Sequence, residues 1–147
     1  MKNTFWILFV SLFFVGCQQN IKPSDITKLN GYWEIEKVVF EKGKDKEYGM
    51  NENFDYFKME KNNKGIRKKV TPQMDGTFLV NDTYENVTVR FKEDKAYLDY
   101  STPYMKWSEE VIALSEKELV LLNAEKTEYH YKKTEPINLL DDGKKVK

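Results

Sequence analysis

The sequence predicts an all-β chain, a small antiparallel up-and-down barrel of about eight to ten short strands. Three observations carry that expectation. Runs rich in β-branched and aromatic residues recur at short intervals from residue 31 to residue 133, turn-forming clusters separate nearly all of them, and no internal stretch shows a convincing amphipathic-helix period.

Residues 1–16 stand apart from that pattern. They hold one charge, Lys2, an apolar run from Phe5 to Val15, and Gly16 immediately before Cys17, the only cysteine. From Thr4 to Gly16 is 13 residues, short of the roughly 20 that a helical span needs, and polar Gln18, Gln19 and Asn20 follow at once. The segment resembles a bacterial lipoprotein signal peptide, with an apolar core to enter the bilayer, a small residue beside the cut and a thiol to acylate. That resemblance implies cleavage after Gly16, lipid on Cys17, and a protein anchored to the membrane of the bacterial cell envelope without crossing it. Gln18 after the cysteine resembles an outer-membrane sorting context; the periplasmic and surface faces both stay open. With Cys17 acylated, the mature chain has no thiol for a disulfide, a redox pair or a cysteine nucleophile.

Removing residues 1–16 leaves 131 of 147 residues, and because Lys2 is the only charge lost, 23 basic residues face 24 acidic ones. A net charge near −1 offers no electrostatic reason for a nucleic-acid partner. The length fits one domain, and 16 aromatics remain to build its core without disulfides.

Along the mature chain, residues 17–28 read as the lipidated cysteine and a polar tether, in which Ser24 and Asp25 are placed to cap one helical turn through Leu29. Residues 29–135 read as the barrel. Its first strand covers 32–41, with Trp33, Ile35 and Val39 on one face, and further strands follow at 54–61, 65–71, 77–84, 87–92, 96–101, 104–114, 118–123 and 127–133. Lys-Asn-Asn-Lys-Gly at 61–65, Met-Asp-Gly at 74–76, Lys-Glu-Asp-Lys at 92–95 and Asn-Ala-Glu-Lys at 123–126 resemble hairpin connections. Residues 136–147 read as a charged C-terminal tail. Eight strands of about eight residues with turns of about four need roughly 96 residues, so 29–135 is long enough to close into a barrel. The same pattern also permits a sandwich.

Leu29-Asn30-Gly31-Tyr32-Trp33 resembles the Gly-x-Trp opening of lipocalin-like proteins, and the region to Lys133 resembles the lipocalin-like lipoproteins of Bacteroidetes-type bacteria. Residues 106–112, 114–121 and 127–133 are similar to that group's final strands. The resemblance implies that Gly31 lets the chain turn into the first strand and that Trp33 plugs the closed end, with Lys132 or Lys133 supplying a cation over its ring. It also implies a non-enzymatic protein that binds a small apolar or amphipathic ligand in or at the mouth of the barrel.

The residues themselves offer no catalytic motif, phosphate-cradling loop or dinucleotide fingerprint. His130 is the only histidine and shares a strand face with Glu128 and Lys132, so no metal site and no cofactor is expected. Glu109 and Glu110 are adjacent in a strand and point to opposite faces. Lys-Gly-Ile-Arg-Lys-Lys at 64–69 reads as a solvated hairpin. Aromatics combine broad apolar area with a polar tip, which makes Tyr97, Tyr100, Tyr104 and Trp107, with Phe57, the candidate ligand-binding residues. The alternative is an envelope module with a filled barrel and no ligand, holding a protein or a glycan on its outer face or open end.

Overall fold

The computed structural model describes residues 19–135, so Cys17, the signal segment and the tail at 136–147 lie outside the described residues. A 3₁₀ helix at Pro23–Leu29 precedes ten strands: β1 (Gly31–Val39), β2 (Lys46–Glu47), β3 (Phe54–Met59), β4 (Lys64–Pro72), β5 (Phe78–Val80), β6 (Glu85–Lys92), β7 (Lys95–Ser101), β8 (Lys106–Leu114), β9 (Glu118–Leu122) and β10 (Glu128–Thr134). Eight of them form a closed antiparallel barrel in the order β1-β3-β4-β6-β7-β8-β9-β10. Closure comes from β10 pairing with β1, from Tyr32 opposite Thr134 to Val39 opposite Glu128, which decides for the barrel over the sandwich. The two short strands lie off the ring, β2 on β1 and β5 on β4.

Period-two alternation explains how the barrel fills. Trp33, Phe57, Val87, Leu98, Tyr100, Val111, Leu121 and Tyr131 come from seven of the eight barrel strands, all but β4, and form one buried cluster. Asn63, Glu93, Asp94 and Lys126 all have positive φ, and they sit in the turns that reverse the chain between β3 and β4, β6 and β7, and β9 and β10. A register shift between Ile35 and Lys37 marks a bulge in β1. It moves the buried position by one residue, so that Val38, opposite Tyr129, is 4% exposed while the expected Val39 is only half-buried. The expected strand at 77–84 shrinks to Phe78–Val80 because Asn81 accepts hydrogen bonds from the backbone and side chain of Thr83, which turns the chain there.

Trp33 closes one end. It is fully buried, and its indole Nε1–H donates to the Leu29 carbonyl at 2.8 Å. Lys133 Nζ lies 5.1 Å from the ring centroid and donates to the Lys28 carbonyl at 2.7 Å, so Lys133 supplies the cation, whereas Lys132 turns outward to Glu34 at 3.3 Å. Gly31 permits this arrangement. Its φ is +120°, and a Cβ there would stand 3.0 Å from Lys133 Cε. Gly31→Ala is therefore expected to destabilise the protein by about 1–3 kcal/mol, read from urea unfolding.

The stretch expected to be a tether is docked from Gln19 onward. Gln19 donates through its backbone N–H to the Ile112 carbonyl and through its side chain to the Leu114 carbonyl, and it accepts from the Leu114 N–H. Ile21 and Ile26 then bury themselves against the barrel floor. Apolar residues two and seven positions beyond Gln19 override the polar composition around them. The helical turn is capped from further back than expected, since Asp25 accepts from the Lys22 N–H at 2.9 Å. Gln19→Ala removes two side-chain hydrogen bonds, each worth about 0.5–1.5 kcal/mol, and is expected to speed hydrogen exchange at the Leu114 amide. Unchanged protection there would show that the clamp does not hold the floor.

Candidate functional site at the barrel mouth

The end opposite Trp33 carries the polar chemistry. Strand β4 runs from the closed end to the mouth, and its inward positions are Gly65, Arg67 and Lys69, because Arg67 pairs in register with Phe57 on one side and Glu85 on the other. Arg67 is 8% exposed. Its Nε–H donates to Glu85, and its Nη1 stands 3.8 Å from Glu109 Oε2. The guanidinium lies 4.2 Å from the Tyr100 ring centroid, 5.8 Å from that of Trp107 and 6.0 Å from that of Phe57. Tyr100 and Trp107 stack on each other at 5.0 Å. Beside this group, Asp55 Oδ1 pairs with Lys69 Nζ at 2.6 Å.

Burial governs the electrostatics. For Arg67 it works against the charge, but Tyr100, Glu85 and Asp55 together lift the guanidinium above its ordinary value, so it stays protonated. Burial pushes the Glu109 carboxyl up, and the Arg67 cation only partly offsets it. The same cause raises the Tyr100 phenol well above its ordinary value, so its hydroxyl keeps its proton throughout the physiological range. Tyr100 and Glu109 influence each other's protonation without reaching hydrogen-bonding geometry.

A carboxyl with a raised folded value binds its proton more tightly when folded. The stability this contributes is complete below the ordinary carboxylate range and is lost as pH rises through the raised folded value. Glu109→Gln should therefore be at least as stable as the parent at neutral pH and lose its advantage on acidification. Urea unfolding of both proteins at pH values spanning the carboxylate range checks the sign.

Of the residues picked from sequence, the structure brings Phe57, Tyr100 and Trp107 together around Arg67. Tyr97 is placed elsewhere, with the Arg90 guanidinium 4.5 Å from its ring centroid and its strand neighbours Ala96 and Leu98 turned into the core. Tyr104 sits in the β7–β8 turn, 95% exposed. Sequence reasoning missed Arg67, Glu85 and Glu109. The solvated hairpin read over 64–69 is corrected at Arg67, and Glu109 does face opposite to Glu110, which pairs with Lys95 at 2.9 Å. The missed signal was a Gly65-Arg67-Lys69 alternation facing the Asp55-Phe57 alternation across one hairpin.

Among the described residues no group of three or more His, Cys, Asp or Glu gathers at metal-binding distance, and His130 pairs with Glu128 at 2.9 Å. No helix among them is long and apolar enough to cross a membrane. An open cleft of about 350 Å³ lies at the closed end, between residues 20–23 and the β6–β7 turn at 91–95. Its charged lining lacks the convergent buried groups found at the mouth, which makes the mouth the better candidate.

A family model for the lipocalin-like domain matches residues 29–121. A solved lipocalin-like protein from Bacteroides uniformis ATCC 8492 is 17% identical, with 73% of this chain and 99% of that one covered and a TM-score of 0.48. An uncharacterized protein from Bacteroides eggerthii DSM 20697 is 15% identical, with 72% and 99% covered and a TM-score of 0.46. No curated protein matches the chain.

Proposed function

Because this chain belongs to the lipocalin-like domain family, we propose that it is a lipid-anchored envelope protein that binds a small amphipathic molecule at the barrel mouth without transforming it. The single observation that carries this reading is the convergence of buried Arg67, Tyr100 and Glu109 with half-buried Trp107 in one group at the open end. Depth favours the mouth over a deep calyx. Trp33, Leu98, Leu121 and Tyr131 already fill the lower interior, so a ligand rests above them, with its apolar part against the Tyr100–Trp107 stack.

Anchoring is proposed through lipid on Cys17, in the bacterial outer membrane. Two residues of chain reach at most about 7 Å, so an anchor at Cys17 lies close to Gln19, whose hydrogen bonds are to the closed end. That supports an orientation with the floor toward the bilayer and the mouth away from it.

Native mass spectrometry of the protein taken from its own envelope tests the ligand. A non-covalent small-molecule adduct supports the reading, and an empty barrel overturns it in favour of the filled-barrel module. Membrane fractionation tests the anchor. Cys17→Ala is expected to move the protein into the soluble fraction, and retention in the membrane would contradict lipidation.

A further inference from the structure

We infer that the mouth selects a small amphiphile whose polar end donates hydrogen bonds, an alcohol or an amine, over one ending in a carboxylate or phosphate. The inference rests on the mouth being a ligand site. Two buried atoms carry it: the Tyr100 hydroxyl and Glu109 Oε2 have no hydrogen-bond partner among the described residues, in residues that are 1% and 8% exposed, whereas a third such atom, Asp55 Oδ1, is held in an ion pair by Lys69. Buried polar atoms are almost always satisfied, and a ligand atom that satisfies both of these recovers two desolvation penalties at once.

The identity of those atoms sets the ligand's chemistry. An ionised carboxylate only accepts, so whatever meets Glu109 must donate. Tyr100 can do either. A ligand hydroxyl donates to Glu109 while accepting from Tyr100, and an ammonium donates to both. A ligand carboxylate meets Glu109 as a like charge.

Arg67, the obvious recruiter of anions, already has its charge shared between two carboxylates, although only its Nε–H makes a hydrogen bond among the described residues. Its Nε–H is given to Glu85, its Nη1 is 3.8 Å from Glu109, and its flat face covers the Tyr100 ring. Lys69 is held by Asp55. Counting Arg67 and Lys69 against Asp55, Glu85 and Glu109 leaves one carboxylate in excess, so the field at the mouth opposes an anionic head. The apolar part of the ligand has Trp107 and Phe57 within the cluster, and exposed Tyr104 and Met105 lie in the turn above.

Three matched probes test the inference: 4-phenyl-1-butanol, 4-phenylbutylamine and 4-phenylbutyrate, titrated calorimetrically into the full chain in zwitterionic phospholipid nanodiscs against empty nanodiscs. The alcohol and the amine are expected to bind at least about tenfold more tightly than the acid, the factor that one net hydrogen bond supplies. Glu109→Gln, which keeps the shape and adds a donor, should narrow that preference to about threefold or less. Tyr100→Phe removes a hydroxyl with no partner in the free protein, so the fold should tolerate it while alcohol binding weakens. Equal or tighter binding of the acid, or a preference unchanged in both variants, overturns the inference while leaving a ligand site standing. Binding of none of the three overturns the ligand-site reading itself.

Discussion

Arg67→Met is expected to lower the unfolding free energy by about 3–5 kcal/mol at neutral pH, the cost of breaking a buried ion pair by removing one partner. The reason lies in what stays behind. Glu109 is 8% exposed and its charged form is already disfavoured by burial; without Arg67 no cation among the described residues lies within ion-pair distance of it to offset that penalty. Glu85 also loses its partner, and the Tyr100 ring loses the guanidinium that covers it at 4.2 Å. Methionine restores part of the volume but none of the charge. Removing the cation takes away what partly offsets burial at Glu109 and pushes its folded-state value further up, so the deficit should be largest at neutral pH and shrink as Glu109 protonates on acidification. Urea unfolding across that range reads both the size and the sign. A loss below about 1 kcal/mol that does not vary with pH would mean that Arg67 is solvated and the mouth is open to water.

Trp33→Ala should cost about 3–5 kcal/mol, as expected for deleting a fully buried aromatic from a core that relaxes only in part. Three contacts fail together. The floor cluster of Ile26, Leu29 and Leu114 faces a void, the Leu29 carbonyl loses its indole donor, and Lys133 loses the ring beneath its ammonium. Trp33→Phe separates these contributions in part: it keeps a buried six-membered ring while removing the indole N–H and the volume of the fused five-membered ring, for an expected loss of about 1–2 kcal/mol. Thermal unfolding of both variants should rank them in that order. Equal losses would mean that the Leu29 hydrogen bond, rather than the packed ring, secures the closed end.

Most of the barrel is legible in the chain because strand alternation and turn chemistry are local. The β6–β7 and β7–β8 hairpins, for example, follow from apolar residues at every second position and polar residues between them. The register of β4 is not legible. Ile66 and Val70 are its apolar residues and suggest an inward face, yet Val70 is 1% exposed without belonging to the interior cluster, and Arg67 takes the inside. Outer aromatics explain the reversal. Phe78 of β5 stacks on Tyr32 at 4.1 Å and meets Phe54 edge-on, so the outer side of this part of the sheet is apolar too.

That non-local cover is also why the functional cluster escapes a reading of one sequence. Arg67, Glu85 and Glu109 are separated by 18 and 24 positions, and only closure of the sheet brings them to one guanidinium. Phe57, Tyr100 and Trp107 were accessible as aromatic candidates, but the cation that gathers them lay inside a basic run that composition assigns to solvent. The bulge in β1 is a similar case, since nothing in Ile-Glu-Lys-Val announces the extra residue that buries Val38.

Proton–nitrogen NMR of the indole and guanidinium groups during titration with 4-phenyl-1-butanol tests the mouth site most directly, because Trp33 and Trp107 mark the two ends of the same barrel. Binding at the mouth predicts saturable shifts at the Trp107 indole and at Arg67 Nε, with the Trp33 indole, held by the Leu29 carbonyl, unmoved. Shifts centred on Trp33, or a Trp107 resonance that stays in place at saturating probe, would contradict it.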